Sequence, residues 1–253
     1  LPVIPHFIEP DWPAPRNVCA LSTTRLGGGS ESPFQSFNLG DHVGDEAHAV
    51  AGNRERLASA LPAGSAVHWL SQVHGTDVVQ AGQGGALPAA DAQWSGTPGA
   101  VCTVMTADCL PVLLCSVDGD VVAAAHAGWR GLMAGILENT VSAMKARPER
   151  LLAWLGPAIG PTAFEVGAEV RDAFFSSAEP FERAAVTGCF VPVVARPGHY
   201  LADIYTLARV RLARSGVTRV FGGGYCTFND SERFFSYRRD GQTGRMASLI
   251  LLR

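Results

Sequence analysis

Three regimes alternate along the chain. In its middle, three short runs, 101–105, 110–115 and 121–125, are almost wholly apolar and rich in β-branched side chains. Unbroken runs of this length predict strands at the centre of a buried sheet, with Asp118-Gly119 as a turn between the last two. Strands are also predicted over 17–24, 67–73, 151–155, 217–221 and 247–252, and 76–80 continues the second of these beyond a kink at His74-Gly75. Over 128–146 the period lengthens: Leu132, Ile136, Thr140 and Met144 recur every four residues, with Leu137 and Val141 beside them, which predicts a helix. Helices are predicted as well over 46–61, capped by Asp45 and stopped by Pro62, over 166–175, and over 200–214, ended by Gly216. The third regime is loop. Gly, Ser and Pro crowd the stretch from Thr23-Thr24-Arg25 to Asp45, and 81–99 reads as a long loop whose conspicuous side chains are Asp91 and Trp94. Strands and helices mix without a regular βαβ beat, so the expected class is α+β. With no internal repeat and no linker, residues 1–253 are expected to form a single domain.

Composition narrows the function classes. The chain is 47% hydrophobic and 17% charged, which excludes a disordered protein, and its net charge of −3 with no basic run leaves no footprint for nucleic acid. No apolar run reaches the roughly 18 residues of a membrane span, and Leu1-Pro-Val-Ile-Pro5 lacks a basic leader, so no membrane partner and a cytoplasmic location are expected. The six cysteines are irregularly spaced without a CxxC, which suggests reduced thiols.

Of seven histidines, His74 and His126 sit at the ends of apolar strands beside glycine turns, and Cys109 shares that setting. Two imidazoles and a thiolate suit zinc, with three protein ligands leaving a fourth position open. The intervals between them are no metal motif in themselves, so other readings stand beside that one. Cys109 can be a small buried hydrophobe, as Cys102, Cys115, Cys189 and Cys226 are expected to be, and His126 can be a core histidine donating to a carbonyl. Asp91, Asp108 and Asp203 each admit two roles, a general base or partner of a ligand on one hand and a helix or turn cap on the other. Gly27, Gly28 and Gly29 form either an anion nest or a plain surface turn.

Several blocks carry a family resemblance: Ser71-Gln-Val-His-Gly75, Ala107-Asp-Cys-Leu-Pro111, His126-Ala-Gly-Trp-Arg-Gly131, Phe164-Glu-Val-Gly167, and Cys226-Thr with Phe234-Phe-Ser-Tyr-Arg238. Together they resemble the YfiH family, also called the laccase-domain or purine nucleoside phosphorylase family, and the similarity runs from Thr23-Thr-Arg-Leu-Gly-Gly28 to the C-terminal strand. The resemblance implies a single α+β sandwich with mixed sheets, a fold grouped with cysteine-hydrolase toxins. It implies zinc held by the residues matching His74, Cys109 and His126. The activity implied is phosphorolysis of adenosine, inosine, guanosine and methylthioadenosine, together with deamination of adenosine. Some members have been called copper polyphenol oxidases, and bacterial members have been linked to editing of peptidoglycan precursors. One departure is Phe164, where the family often has Tyr.

On this reading the catalytic and metal residues are His74, Cys109 and His126, and the partners are a purine nucleoside and phosphate. Arg25, with the glycines after it, is the first candidate for the phosphate, because a guanidinium can bind two oxygens at once; Arg130 and Arg238 are weaker ones. Asn38 and His42 are candidates for contact with substrate, and Asp108 and Arg130 for support of the site. A second class is a metal-free cysteine hydrolase with Cys109 as nucleophile and His126 as base, acting on peptidoglycan precursors. A multicopper laccase is disfavoured, since that chemistry needs on the order of ten histidines in His-x-His pairs and this chain has seven and no such pair; copper at the site would be adventitious. A non-enzymatic binding module is a further class, at odds with the convergence of polar residues at so many strand ends.

Overall fold

The central apolar runs have no polar face because they are enclosed on both sides. The computed structural model describes residues 5–83, 85 and 87–253; Leu1-Pro-Val-Ile and positions 84 and 86 of the predicted 81–99 loop lie outside the described residues. In chain order the elements are β1 (Phe7–Ile8), β2 (Val18–Thr23), α1 (Ala47–Ser59), β3 (Ala66–His68), β4 (Val78–Gln80), β5 (Ala92–Ser95), β6 (Ala100–Thr106), β7 (Leu110–Ser116) and β8 (Val122–Ala127). They continue with α2 (Trp129–Ala134), α3 (Ile136–Ala143), β9 (Leu151–Leu155), β10 (Glu165–Gly167), α4 (Ala168–Ser177), α5 (Arg183–Gly188), β11 (Phe190–Pro192), β12 (His199–Ala202), α6 (Ile204–Arg214), β13 (Arg219–Gly222), α7 (Tyr237–Asp240) and β14 (Met246–Leu252).

Two mixed sheets stack face to face, one of five strands in the order β1-β2-β14-β6-β3 and one of six in the order β13-β9-β7-β8-β5-β4, and a small third sheet has the order β10-β12-β11. The strand period of two decides which layer each side chain joins. From β7, Leu113 and Cys115 point between the large sheets to meet Val104, Trp154 and Ile250, while Val112 and Leu114 point the other way to α3 and α6 through Ile136, Leu137 and Leu212. On the far face of the five-stranded sheet, Val101, Leu249 and Leu251 pack on Leu57 of α1 and on Phe37 and Leu39. The result is a helix–sheet–sheet–helix sandwich of mixed sheets, the expected α+β class.

Where the structure departs from the predicted elements, side chains or glycines explain it. The strand expected over 67–73 stops at His68, because Gln72 takes over the pairing: its Nε2 donates to the Met105 carbonyl at 2.8 Å and its Oε1 accepts the Met105 N–H at 2.7 Å. The 81–99 loop contains β5, whose polar Gln93 points inward and is satisfied by the carbonyls of His68 (2.9 Å) and Thr103 (2.7 Å). The helix expected over 128–146 is two, divided at Gly135, which stands at φ +109 where other residues are strained. The first residues of the 200–214 helix are strand β12, and Asp203 caps α6 by accepting the Thr206 N–H at 3.0 Å. Helix α4 likewise follows a short strand, β10, inside the predicted 166–175 span. Asp45 does not cap α1; the cap position is Glu46, whose N–H the Asp45 carboxylate accepts.

Leu113, fully buried at the centre of the sandwich, sets the scale of the core. Leu113→Ala is expected to cost about 3 kcal/mol, read as a lower urea midpoint with an unchanged slope.

Candidate metal centre

The order of the six-stranded sheet brings four distant pieces of chain to one end of it. β7 starts directly after Cys109, and β8, beside it, carries His126 one residue before its end, opposite Pro111. β5 pairs with β8 so that Ala92 faces Ala125, which places Asp91 next to His126, and the His126 N–H donates to the Asp91 carbonyl at 2.7 Å. The turn that contains His74 precedes β4, the neighbour of β5.

Asp91 is fully buried, and its carboxylate is saturated. It accepts the backbone N–H groups of Val73 (3.1 Å), His74 (2.9 Å) and Gly75 (2.6 Å), and it lies 2.7 Å from His126 Nδ1. With Nδ1–H donated to Asp91, the Nε2 of His126 is left to face the centre. Burial pushes the Asp91 carboxyl up, but the hydrogen bonds from His126 and from this turn, with the His126 charge, outweigh it and hold the carboxyl below its ordinary value.

His74 sits at φ +60 and Asp108 at φ +90, both in the left-handed region. Each such residue costs about 1 kcal/mol, and each is pinned by a carboxylate. For His74 that carboxylate belongs to Asp91. For Asp108 it is its own, which accepts Thr227 Oγ1 at 2.6 Å, Ser236 Oγ at 3.0 Å and the Arg238 N–H at 2.7 Å. Asp108 therefore ties the C-terminal segment to the Cys109 turn and does not touch either histidine; the partner of a histidine is Asp91.

The donor atoms of His74, Cys109 and His126 all lie within 4.8 Å of one another, with Cys109 Sγ 3.7 Å from His74 Nε2. A tetrahedral metal with one sulfur and one nitrogen ligand needs an edge of about 3.5 Å, so the donor set and its spacing fit a metal ion. The two imidazoles meet edge-on, centroids 4.8 Å apart. A side chain at Gly128 would crowd the approach of His74 to Cys109, since its Cβ would fall 2.9 Å from His74 Cδ2 and 3.0 Å from Cys109 Sγ. Burial pushes the Cys109 thiol up, but the His126 and His74 imidazoles pull it down to about 6, while the Cys109 and Asp91 charges overcome burial at His126 and raise it to about 9. The two shifts run in opposite directions and favour a thiolate beside an imidazolium in the metal-free site. Burial pushes the thiols of Cys115 and Cys189 up to about 12, and that of Cys102 up as well. The Cys226 sulfur accepts the Gly160 N–H at 3.2 Å.

Two clefts open on the centre. The larger, about 570 Å³, runs from His74, Cys109 and His126 past Gln72, Met105 and Tyr237 to Arg245 and the rim residues Asp41 and His42. A smaller one, about 270 Å³, reaches His74 and Cys109 from the side of Trp129, Arg130, Phe164 and Arg238, with Tyr237 shared by both.

The remaining candidates separate accordingly. His42 lies on the rim of the larger cleft. Asn38 is buried with its side chain fully engaged, donating to the Gly40 carbonyl and Asp45 and accepting the N–H groups of Gly40 and Arg245, so it reaches the cleft only through its neighbours. Arg25 is a correction. It does not line either cleft; its guanidinium donates to the carbonyls of Gln35 and Ser231 and lies over the Phe235 ring. The anion nest fails with it, since the N–H groups of Gly28 and Gly29 are taken by Ser36 Oγ and Asn53 Oδ1. Arg130 stacks on Trp129 in the smaller cleft. Sequence reasoning quoted Gln72, Gly128 and Tyr237 inside the family blocks without giving them a role, and it passed over Arg245. A signal existed for Arg245, a charge placed directly before a strand buried on both faces.

The family described as multi-copper polyphenol oxidoreductase laccase matches residues 19–253. The chain is 56% identical over 246 residues to a Pseudomonas aeruginosa protein named purine nucleoside phosphorylase, covering 97% of this chain and 98% of that one. It is 55% identical over 247 residues to the Escherichia coli purine nucleoside phosphorylase YfiH, again covering 97% and 98%. The crystal structure of a Neisseria meningitidis protein, 52% identical, superposes with a TM-score of 0.91 over 97% of this chain and 98% of that one.

In metal-free protein, alkylation of Cys109 by iodoacetamide is expected to fall off only as the pH drops through about 6, whereas an ordinary thiol loses reactivity below about 8.5, and the buried cysteines should stay unlabelled. Asp91→Asn replaces an acceptor by a donor facing N–H groups. It should cost about 3 kcal/mol in chemical denaturation and move the alkylation midpoint upward, because the imidazolium loses its counter-ion.

Proposed function

The chain belongs to the family described as multi-copper polyphenol oxidoreductase laccase, and from that premise we propose that it is a zinc-dependent purine nucleoside phosphorylase that also deaminates adenosine. The observation that carries this reading is a two-imidazole, one-thiol group at the floor of a cleft large enough for a nucleoside, in a chain whose relatives are named purine nucleoside phosphorylases. The substrates are adenosine, inosine, guanosine and methylthioadenosine, with phosphate as the second partner. His74, Cys109 and His126 hold the metal. The mixed nitrogen and sulfur set favours zinc, and copper there is adventitious. When bound, zinc supplies a Lewis acid for both reactions.

The chain's own residues do the rest. Asp91 holds His126 by Nδ1 so that Nε2 faces the metal position, and the imidazoles shift the Cys109 thiol toward its thiolate. Leu70, Met105 and Ala107 give the cleft an apolar wall for a purine, and His42, beside Asp41, offers polar groups at the rim for the sugar. Unpaired cysteines support a cytoplasmic setting. The place of β14 between β2 and β6 supports reading residues 1–253 as one domain.

A second reading, a metal-free cysteine hydrolase, is favoured by one observation. Cys109, His126 and Asp91 follow one another as nucleophile, base and orienting carboxylate.

Metal-analysed protein incubated with a panel of nucleosides should release free base only when phosphate is present, and ammonia from adenosine. Chelation should abolish both activities and zinc restore them, and Cys109→Ala should lose the metal with at least about 100-fold of activity. Activity that survives complete metal removal would sink the metal reading, and activity retained in Cys109→Ala would sink both readings.

A further inference from the structure

One guanidinium of the larger cleft has no anionic partner among the described residues. Arg245 precedes β14 at the cleft wall, and its surroundings hold it in place from several sides. Its N–H donates to Asn38 Oδ1 at 2.8 Å, and Asn38 is itself locked to the Gly40 carbonyl and Asp45. Gly40 leaves room for its stem, since a Cβ there would stand 2.8 Å from Arg245 Cγ. Nη1 donates to the carbonyls of Thr243 (3.0 Å) and Gly244 (3.1 Å), which fixes the plane of the guanidinium. Nε and Nη2 make no hydrogen bond among the described residues, and no ion pair among them includes Arg245.

Other half-buried arginines of the chain are differently placed. Arg54 pairs with Asp41, Arg211 with Glu138, and Arg214 with Glu182 and Glu138, while Arg25 and Arg209, which have no ion pair among the described residues, spend their guanidinium donors on carbonyls and line neither cleft. A partly buried cation without a carboxylate loses hydration and recovers little from the protein. Burial lowers the pKa of Arg245, and the charges of Cys109 and Asp108 act against that. The compensation that would complete the site is an anion from solution.

We infer that Arg245 is the anchor for the phosphate co-substrate, which it takes through Nε–H and Nη2–H. These two donors are the parallel pair of a guanidinium and match two oxygens of one phosphate. The inference rests on the phosphorylase reading and adds the residue that this reading leaves unassigned. A phosphate held there can form a bond from one oxygen to the ribose C1′ while the C1′–N9 bond breaks. The N9 electron pair leaves with the purine, which takes a proton from solvent, and the products are free base and ribose 1-phosphate.

The test compares Arg245→Met and Arg245→Lys with the natural protein, all zinc-loaded and matched for metal content and thermal midpoint. Arg245→Met should raise the KM for phosphate about tenfold or more with the KM for nucleoside within about twofold, and Arg245→Lys should fall between because it keeps charge but loses the fork. Isothermal titration of inorganic phosphate into zinc-loaded protein without nucleoside should show binding to the natural protein and its loss in Arg245→Met. Unchanged phosphate KM and affinity in a folded variant overturn the inference, as does an absence of phosphate binding to the natural protein. If phosphate binds through Arg245 and yet no nucleoside is cleaved, the phosphorylase reading fails and the anion site stands. If Arg245→Met does not fold, Arg245→Lys carries the same comparison.

Discussion

The site depends on a single buried carboxylate. Removing Asp91 from water is costly, and the structure offsets that cost by pointing three backbone N–H groups and one imidazole at it. Those four donors come from two parts of the chain that never meet in sequence, the turn at 73–75 and the end of β8. One carboxylate thus places two histidines. It holds His74 in a backbone conformation that histidine does not prefer, and it decides which nitrogen of His126 is free. The strand order β7-β8-β5-β4 makes this possible by setting Asp91 beside His126 and Cys109 one strand further on.

A second carboxylate does the corresponding work for the thiol. Asp108, one residue before Cys109, is held in the left-handed region by hydrogen bonds to Thr227, Ser236 and the Arg238 N–H, so the C-terminal segment buttresses the turn that presents the sulfur. Gly128 leaves the space in which the sulfur and the His74 ring approach each other. The carboxylates that shape the site are satisfied by hydrogen bonds from several parts of the fold, which fixes the positions of the histidines and the sulfur.

How much of this is legible in the sequence follows from which interactions are local. The central strands are readable because burial on both faces leaves an unbroken apolar run, and from their ends come His126 and Cys109. β5 is hidden because its inward Gln93 finds two carbonyls from other strands, which no local pattern predicts. The helix period persists across Gly135, so the break in it shows only in the backbone. Asp91 carries two readings in the sequence, cap or partner, and only the pairing of β5 with β8 selects the second. Arg25 misleads for a related reason. Glycines after a strand resemble an anion nest, yet here Gly28 serves a close approach, with the Ser36 carbonyl occupying the place its Cβ would take, and the arginine is committed to carbonyls of the same loop and of the C-terminal segment.

The two chemical readings of the site share Cys109, His126 and Asp91, and both need the thiolate that the imidazoles produce. His74 separates them. A hydrolase built on a nucleophile, a base and an orienting carboxylate has no task for a second imidazole near the sulfur. The fold nevertheless holds His74 at φ +60, against a preference of about 1 kcal/mol, by converging three N–H groups on Asp91, and it keeps Gly128 bare so that the ring can stand 3.7 Å from Cys109 Sγ. Strain maintained at that position makes sense for a third ligand, which a metal ion requires and a cysteine nucleophile does not.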